Sequence, residues 1–242
     1  MSDDRPSFYA LQPGGLRDYW SLLHAPYTLW HLSYVAIGAA LVPTIDPGRL
    51  WLSLAAFLLA VGMAAHALDE LRGRPLGTRI RREVLIGLAV LGLVGALAIG
   101  IYGCSIVSWW GVPFMVLGGF IVPAYGLEWW GGRFHTEAWF AGMWGAFPAL
   151  AGYFAQTGRI DLVVVPVCVG CAAITAAQRR LSTPVRRLRR RVASVHGELV
   201  LRDGTVEELD ASALREAPEG ALRILWVGMV ALAVASVAAR WP

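Results

Sequence analysis

The chain has 242 residues, 57% of them hydrophobic and only 16% charged, and its apolar runs are long enough to cross a hydrocarbon core of about 30 Å. This excludes a water-soluble globular enzyme and points to an integral membrane protein. The formal charge of +4 rests on 21 basic residues, all arginine; they cluster loop by loop as the positive-inside rule requires, which excludes nucleic acid as a partner.

The opening stretch, Met1 to Trp20, carries Asp3, Asp4, Arg5, Arg17 and Asp18 and no apolar core, so no cleaved signal peptide is expected. Continuous apolar segments then predict seven helices at 22–43, 50–70, 83–103, 106–127, 137–156, 160–178 and 221–240. Pro43 and the turn Asp46-Pro47-Gly48 end the first. The fifth ends at Gln156-Thr157-Gly158-Arg159. Arg72, Arg74, Arg79, Arg81 and Arg82 share one loop and Arg133 lies in another. A third holds Arg179, Arg180, Arg186, Arg187 and Arg189 to Arg191. The expected topology therefore has a cytoplasmic N-terminus and, with seven spans, a C-terminus outside. Three parts follow: a six-helix bundle over 1–178, a basic cytoplasmic segment over 179–220, and a last span over 221–242.

Within the basic segment, Gly197 to Glu208 alternates about an Asp203-Gly204 turn and predicts a small β-hairpin. His196 reads as a surface residue. Cys104, Cys168 and Cys171 read as free thiols in or beside spans. Trp109, Trp110, Trp129, Trp130 and Trp241 fit interfacial belts, whereas Trp139 and Trp144 lie inside the fifth helix and are candidates to line a pocket.

Ionisable residues at membrane depth mark function unless they pair. His66, Asp69 and Glu70 stand at i, i+3 and i+4 on the second helix, so one face carries an imidazole and carboxylates together. The bland alternative pairs both acids with Arg72 and Arg74. His24 and His31, seven residues apart, share a face of the first helix. Glu128 ends the fourth helix, and His135, Thr136 and Glu137 open the fifth. Here Thr136 serves as an N-cap, Glu137 as a first-turn acid and Glu128 as a partner of Arg133, which accounts for the acids and not for His135. Topology brings all three corners to one end of the bundle, and imidazole with carboxylate suits iron, manganese or zinc, as one ion or two.

The same residues carry a family resemblance. The segment Arg17-Asp18-Tyr19-Trp20-Ser21-Leu22-Leu23-His24-Ala25-Pro26 resembles the first-helix opening of the UbiA prenyltransferase superfamily. His66-Ala67-Leu68-Asp69-Glu70 with Arg74-Pro75-Leu76 resembles that family's first acidic motif and its downstream Arg-Pro-Leu. Gly145 to Tyr153, followed by Gln156-Thr157-Gly158, is similar to its fifth-helix segment. The likeness spans residues 15–178 and implies a UbiA-like helical bundle acting on isoprenoid diphosphates through magnesium. The chain departs from the pattern where His66, Ala67 and Glu70 replace the family's Asn and two Asp. Gln178-Arg179-Arg180-Leu181-Ser182-Thr183-Pro184 stands where a second acidic motif belongs, and seven spans replace the usual nine.

Three functions are thereby expected. The first is an intramembrane oxidative enzyme with a metal site drawn from His24, His31, His66, Asp69, Glu70, Glu128, His135 and Glu137, acting on an isoprenoid or acyl lipid and served by a redox partner at the cytoplasmic face. The second is a magnesium-dependent prenyltransferase or terpene cyclase in which Asp69 and Glu70 hold one magnesium and Arg72, Arg74 or Arg179 grips phosphate, with Trp144 and Tyr153 as further substrate contacts. The third is a lipid-binding scaffold without chemistry.

Overall fold

The computed structural model describes residues 5–242; Asp3 and Asp4 lie outside the described residues. The chain is mostly helical. Five helices are long and apolar enough to cross a membrane: Pro47–Leu71, Arg82–Ile106, Trp109–Gly126, Leu162–Arg190 and Ala211–Ala238.

In chain order, α1 (Leu16–Leu22) and α2 (Ala25–Ala39) replace the single helix expected over 22–43. The break falls at His24, which adopts a left-handed backbone (φ 47°, ψ 46°) before Pro26 starts α2. The next span is α3 (Pro47–Phe57), a π-helical stretch (Leu58–Ala65) and α4 (His66–Leu71). Asp46 caps its start by accepting from the Arg49 amide at 3.1 Å. After α5 (Arg82–Ile106) and α6 (Val112–Gly126), a short turn of helix, α7 (Trp129–Gly132), reverses the chain. Glu128, Trp130, Gly131 and Gly132 all have positive φ there. Thr136 caps α8 (Glu137–Ala141) as expected. A second π stretch (Gly142–Ala146) joins it to α9 (Phe147–Thr157).

Two helices outrun their apolar segments. α10 spans Val165–Arg190, twelve residues past the end read from hydropathy, and α11 spans Ala211–Ala238, starting ten residues early. Arginine, leucine and alanine propagate a helix well, so loss of hydropathy does not end one. Asp210 fixes the start of α11 by accepting from the Ala213 amide at 2.7 Å. Between them stands the expected hairpin, β1 (Glu198–Val200) antiparallel to β2 (Val206–Glu208), with Val200 opposite Val206 and Gly204 at φ 87° in the turn.

At the centre, α2 packs against α9 and α11. Gly38 of α2 meets the backbone of Ala149, and Gly152 of α9 meets the backbone of Val35, so a Cβ at either glycine would strike the opposite main chain. Trp30, Tyr34, Ala149, Cys171, Leu222 and Met229 form the core around that crossing. Inside it the Tyr34 hydroxyl accepts from Trp30 Nε1 at 2.5 Å and from Thr175 Oγ1 at 3.0 Å. The three cysteines are free, and His196 is exposed.

Candidate functional site

A polar chamber of about 460 Å³ opens at the end of the bundle where the start of α2, α4, the end of α6 and the far half of α10 meet. His24, His31, His66, Asp69, Arg72, Glu128, His135, Trp144 and Arg179 line it, so nine of the thirteen residues singled out in the sequence share one wall. Glu70, Arg74, Glu137 and Tyr153 do not.

Each of those four has another placement. Glu70 is fully buried, and its oxygens accept from the amides of Leu76 (3.0 Å) and Thr78 (2.9 Å) and from the Thr78 hydroxyl (2.8 Å). It anchors the very Arg74-Pro75-Leu76 loop that reads as a motif. Arg74, itself at φ 52°, donates to the Ile80 carbonyl at 2.6 Å and closes the same loop. Glu137 is an exposed first-turn acid. Tyr153 sits at the opposite end of the bundle and donates to Asp161 at 2.6 Å.

On the chamber wall, His24 and His66 face one another edge to face with ring centroids 4.0 Å apart. Local structure forces this meeting: the left-handed turn throws the His24 ring inward, and the π stretch that ends at Ala65 re-aims His66. A non-glycine residue in that conformation costs about 1 to 3 kcal/mol and persists only where its surroundings hold it, and π stretches recur at functional sites. Tyr9 packs edge-on to His24 at 5.3 Å. Among the described residues, three buried side-chain atoms have no hydrogen-bond partner: His24 Nε2, His66 Nδ1 and Gln178 Oε1. All three residues line the chamber. Because buried polar atoms are nearly always paired, with protein, water or ligand, that coincidence singles out the chamber as the candidate site.

His31 and His135 are committed elsewhere. The His31 Nδ1 lies 2.8 Å from the Trp144 carbonyl; a carbonyl only accepts, so Nδ1 carries the proton. His135 stacks on Tyr125 with centroids 4.2 Å apart, and its Nδ1 is 3.3 Å from the Tyr125 carbonyl and 3.8 Å from Glu128. Glu128 pairs with Arg72 at 2.5 Å rather than with Arg133. Asp69 makes no ion pair among the described residues. No three of the described His, Cys, Asp and Glu residues form a metal-holding group.

Apart from Arg179, the α10 side of the wall escapes the sequence reading. Gln178, Arg179, Ser182, Val185, Arg186 and Arg190 recur at helical spacing along α10 and all line the chamber. The stripe is visible as soon as the helical period is carried past residue 178, where falling hydropathy hides it. Arg179 donates to the Tyr125 hydroxyl and lies 5.0 Å over the Phe140 ring. Arg190 donates to the Pro6 carbonyl and to Ser7 Oγ, both at 3.1 Å, and Arg189 donates to the Arg5 carbonyl at 2.9 Å. These bonds hold the N-terminal segment against the chamber, with Tyr9 and Tyr27 on its wall. Buried beside it, Glu219 of α11 receives both Arg189 (2.9 Å) and Arg223 (2.7 Å).

A second, apolar cavity runs along α3, α5, α6 and α9, and it shares Val122 and Trp144 with the chamber. Trp144 stands at the junction, in the second π stretch, against Tyr125 and Phe140. Comparisons with family models, with curated proteins and with solved structures gave no match.

Proposed function

We propose that the protein is a multi-pass membrane enzyme acting on an isoprenoid or acyl lipid whose head carries phosphate, with the head held in the chamber. The charge of the wall carries this reading. Arg179, Arg186 and Arg190 project from one face of α10 while, among the described residues, Asp69 is the one lining carboxylate outside an ion pair. Such an enclosure repels a bare cation and attracts an anion. Guanidinium groups bind phosphate oxygens two at a time, and in a low-dielectric site they stabilise the charge that grows on a departing diphosphate. The resemblance to the UbiA superfamily supports the same substrate class, with transfer or cyclisation of an isoprenoid as the reaction.

Magnesium fits this wall. It is commonly held by one or two carboxylates together with substrate phosphates and water, so Asp69 alone would serve once phosphate is present. The ion would add charge neutralisation at the phosphate. His24 and His66, with unpartnered ring nitrogens, are placed to accept a proton, and Tyr9 packs against His24. Arginine on α10 takes over the neutralising role of the missing second acidic motif.

Seven crossings complete the reading: α2 and residues 137–157 join the five apolar helices. These two are the interior members of the bundle and carry Thr28, His31, Ser33 and Trp144, which lowers their hydropathy without exposing polar groups to lipid. The arginine-rich loops support a cytoplasmic side for the chamber and the N-terminus.

A second reading draws on the same histidines. Imidazole nitrogens of His24 and His66 with Asp69 suit iron, manganese or zinc and would support oxidation of the lipid. The surrounding guanidinium groups make it the weaker of the two.

The test is binding of a prenyl diphosphate analogue to purified protein in nanodiscs, with and without magnesium, alongside metal analysis. Saturable binding weakened at least tenfold in both Arg186→Gln and Asp69→Asn is expected. Stoichiometric iron, manganese or zinc lost on His24→Ala would favour oxidation. No ligand and no metal would leave a scaffold.

A further inference from the structure

The stretch that closes one side of the chamber has no regular structure. Residues 5–15 contain neither helix nor strand, yet Ser7, Phe8 and Tyr9 form part of the chamber wall and Ser7 and Ala10 are buried. Two consecutive arginines of α10 hold this strap in place. Arg189 donates to the Arg5 carbonyl at 2.9 Å while it grips the buried Glu219. Arg190 places Nε on the Pro6 carbonyl and Nη2 on Ser7 Oγ, both at 3.1 Å. Farther on, Phe8 lies under the Arg223 guanidinium at 5.1 Å, and the Leu11 amide donates to Ser21 Oγ at 2.9 Å. The ends of the strap are thus tied to groups that play no part in gripping phosphate. Its middle depends on Arg190, one of the three arginines that carry the phosphate reading.

Nε and Nη2 form one edge of the guanidinium fork, the geometry in which arginine takes two oxygens of a single phosphate. The Pro6 and Ser7 oxygens stand where phosphate oxygens would stand. Because Ser7 itself lines the chamber, that edge borders the space the head enters.

We propose that the strap is a built-in competitor for the phosphate head: the arriving head displaces Pro6 and Ser7 from Arg190 and releases the middle of the strap. This rests on the phosphate-head reading above. The strap offers the fork two neutral oxygens, whereas phosphate offers the same edge full negative charge, so the exchange runs toward the ligand. Each bond given up is subtracted from the affinity of the head. Reciprocity then requires that whatever loosens the strap strengthens phosphate binding. Tyr9 packs edge-on to His24 and moves with the strap, so arrival of the head also uncovers that imidazole. A lid that closes over its ligand would behave in the opposite way, tightening when the chamber fills.

Chymotrypsin reads the strap directly, because it cuts after Phe8 and Tyr9 and the loss of the N-terminal residues appears in the intact mass. The protein in nanodiscs is digested with and without a prenyl diphosphate analogue, and with inorganic pyrophosphate as a second probe. The analogue should speed cleavage at these two sites by about fivefold or more. Acceleration by pyrophosphate as well assigns the effect to the phosphate group itself, and acceleration by the analogue alone assigns it to the lipid-borne head; both support the exchange. Ser7→Ala removes one strap bond and should bind the analogue roughly two- to tenfold more tightly, with faster cleavage before ligand is added. Arg190→Lys keeps the charge without the fork and should be cut rapidly whether or not ligand is present. Protection of Phe8 and Tyr9 by the analogue, or weaker binding in Ser7→Ala, would make the strap a closing lid and overturn the proposal. Saturable binding with an unchanged cleavage rate also overturns it and leaves the head assignment standing. If neither the native chain nor Ser7→Ala binds either probe, the head assignment itself is refuted and the competitor falls with it.

Discussion

The two ends of the bundle treat polar side chains in opposite ways. At the far end, Gln156 donates to and accepts from the Asp46 main chain, Arg49 caps the Gln156 carbonyl, and Asp161 receives both Tyr153 and Arg159. Each group there is matched, and the network needs nothing else. At the chamber end, His24, His66 and Gln178 keep buried atoms without partners, although matched alternatives lie close by in the Glu70 loop and the Glu219 ion pairs. These open atoms are the ones that a ligand of the proposed kind would meet.

Substitutions can break or sharpen that contrast, and they fall in a clear order of size. Glu219→Leu should cost most, because it removes the buried carboxylate that Arg189 and Arg223 share; removing one partner of a buried pair costs about 3 to 5 kcal/mol, read as a fall in the thermal midpoint in detergent. Glu70→Ala follows. It strands the Leu76 and Thr78 amides; at about 1 to 3 kcal/mol for each buried donor left unpaired the loss should lie near the lower end, roughly 2 kcal/mol, because the loop they belong to can open to water. Hydrogen exchange should show opening confined to residues 72–81. Gln156→Ala at the far end removes matched but partly exposed bonds and should cost about 1 kcal/mol.

Gln178→Met should cost almost nothing or stabilise slightly, since it removes an acceptor that has no donor. A loss as large as that of Gln156→Ala would show that the chamber atoms are structural after all and would dissolve the contrast. The smallest effect concerns pH. Its bonds to Tyr153 and Arg159 hold the Asp161 carboxyl below the usual aspartate range. A depressed carboxyl contributes stability above its unfolded-state range and loses it as pH falls through the folded one. The midpoint of Asp161→Asn should therefore converge with that of the native chain under acid and separate from it slightly toward neutrality.

Much of the architecture is readable in the sequence because it follows from periodicity and local chemistry. Apolar runs mark the spans, Asp203-Gly204 marks the hairpin, and Thr136 marks the start of α8. The ends of α10 and α11 escape that reading because a helix wall facing a polar chamber looks, residue by residue, like a surface. Likewise Arg74-Pro75-Leu76 downstream of Glu70 reads as chemistry, whereas three hydrogen bonds to Glu70 make the acid and the loop one structural lock. Spacing alone gives Asp69 and Glu70 equal standing. Only the fold turns one into the interior of a loop and the other toward the chamber.

The sequence by itself determined that the chain is helical, lies in a membrane, and concentrates imidazole, carboxylate and arginine toward one end. These are properties of composition and of order along the chain. Tertiary structure decided which of those groups meet, because a left-handed turn at His24 and a π stretch before His66 bring rings together across elements far apart in sequence. It also decided the sign of the site. Arg179, Arg186 and Arg190 become one wall only because α10 continues as a helix past its apolar segment, and on that wall the phosphate reading rests.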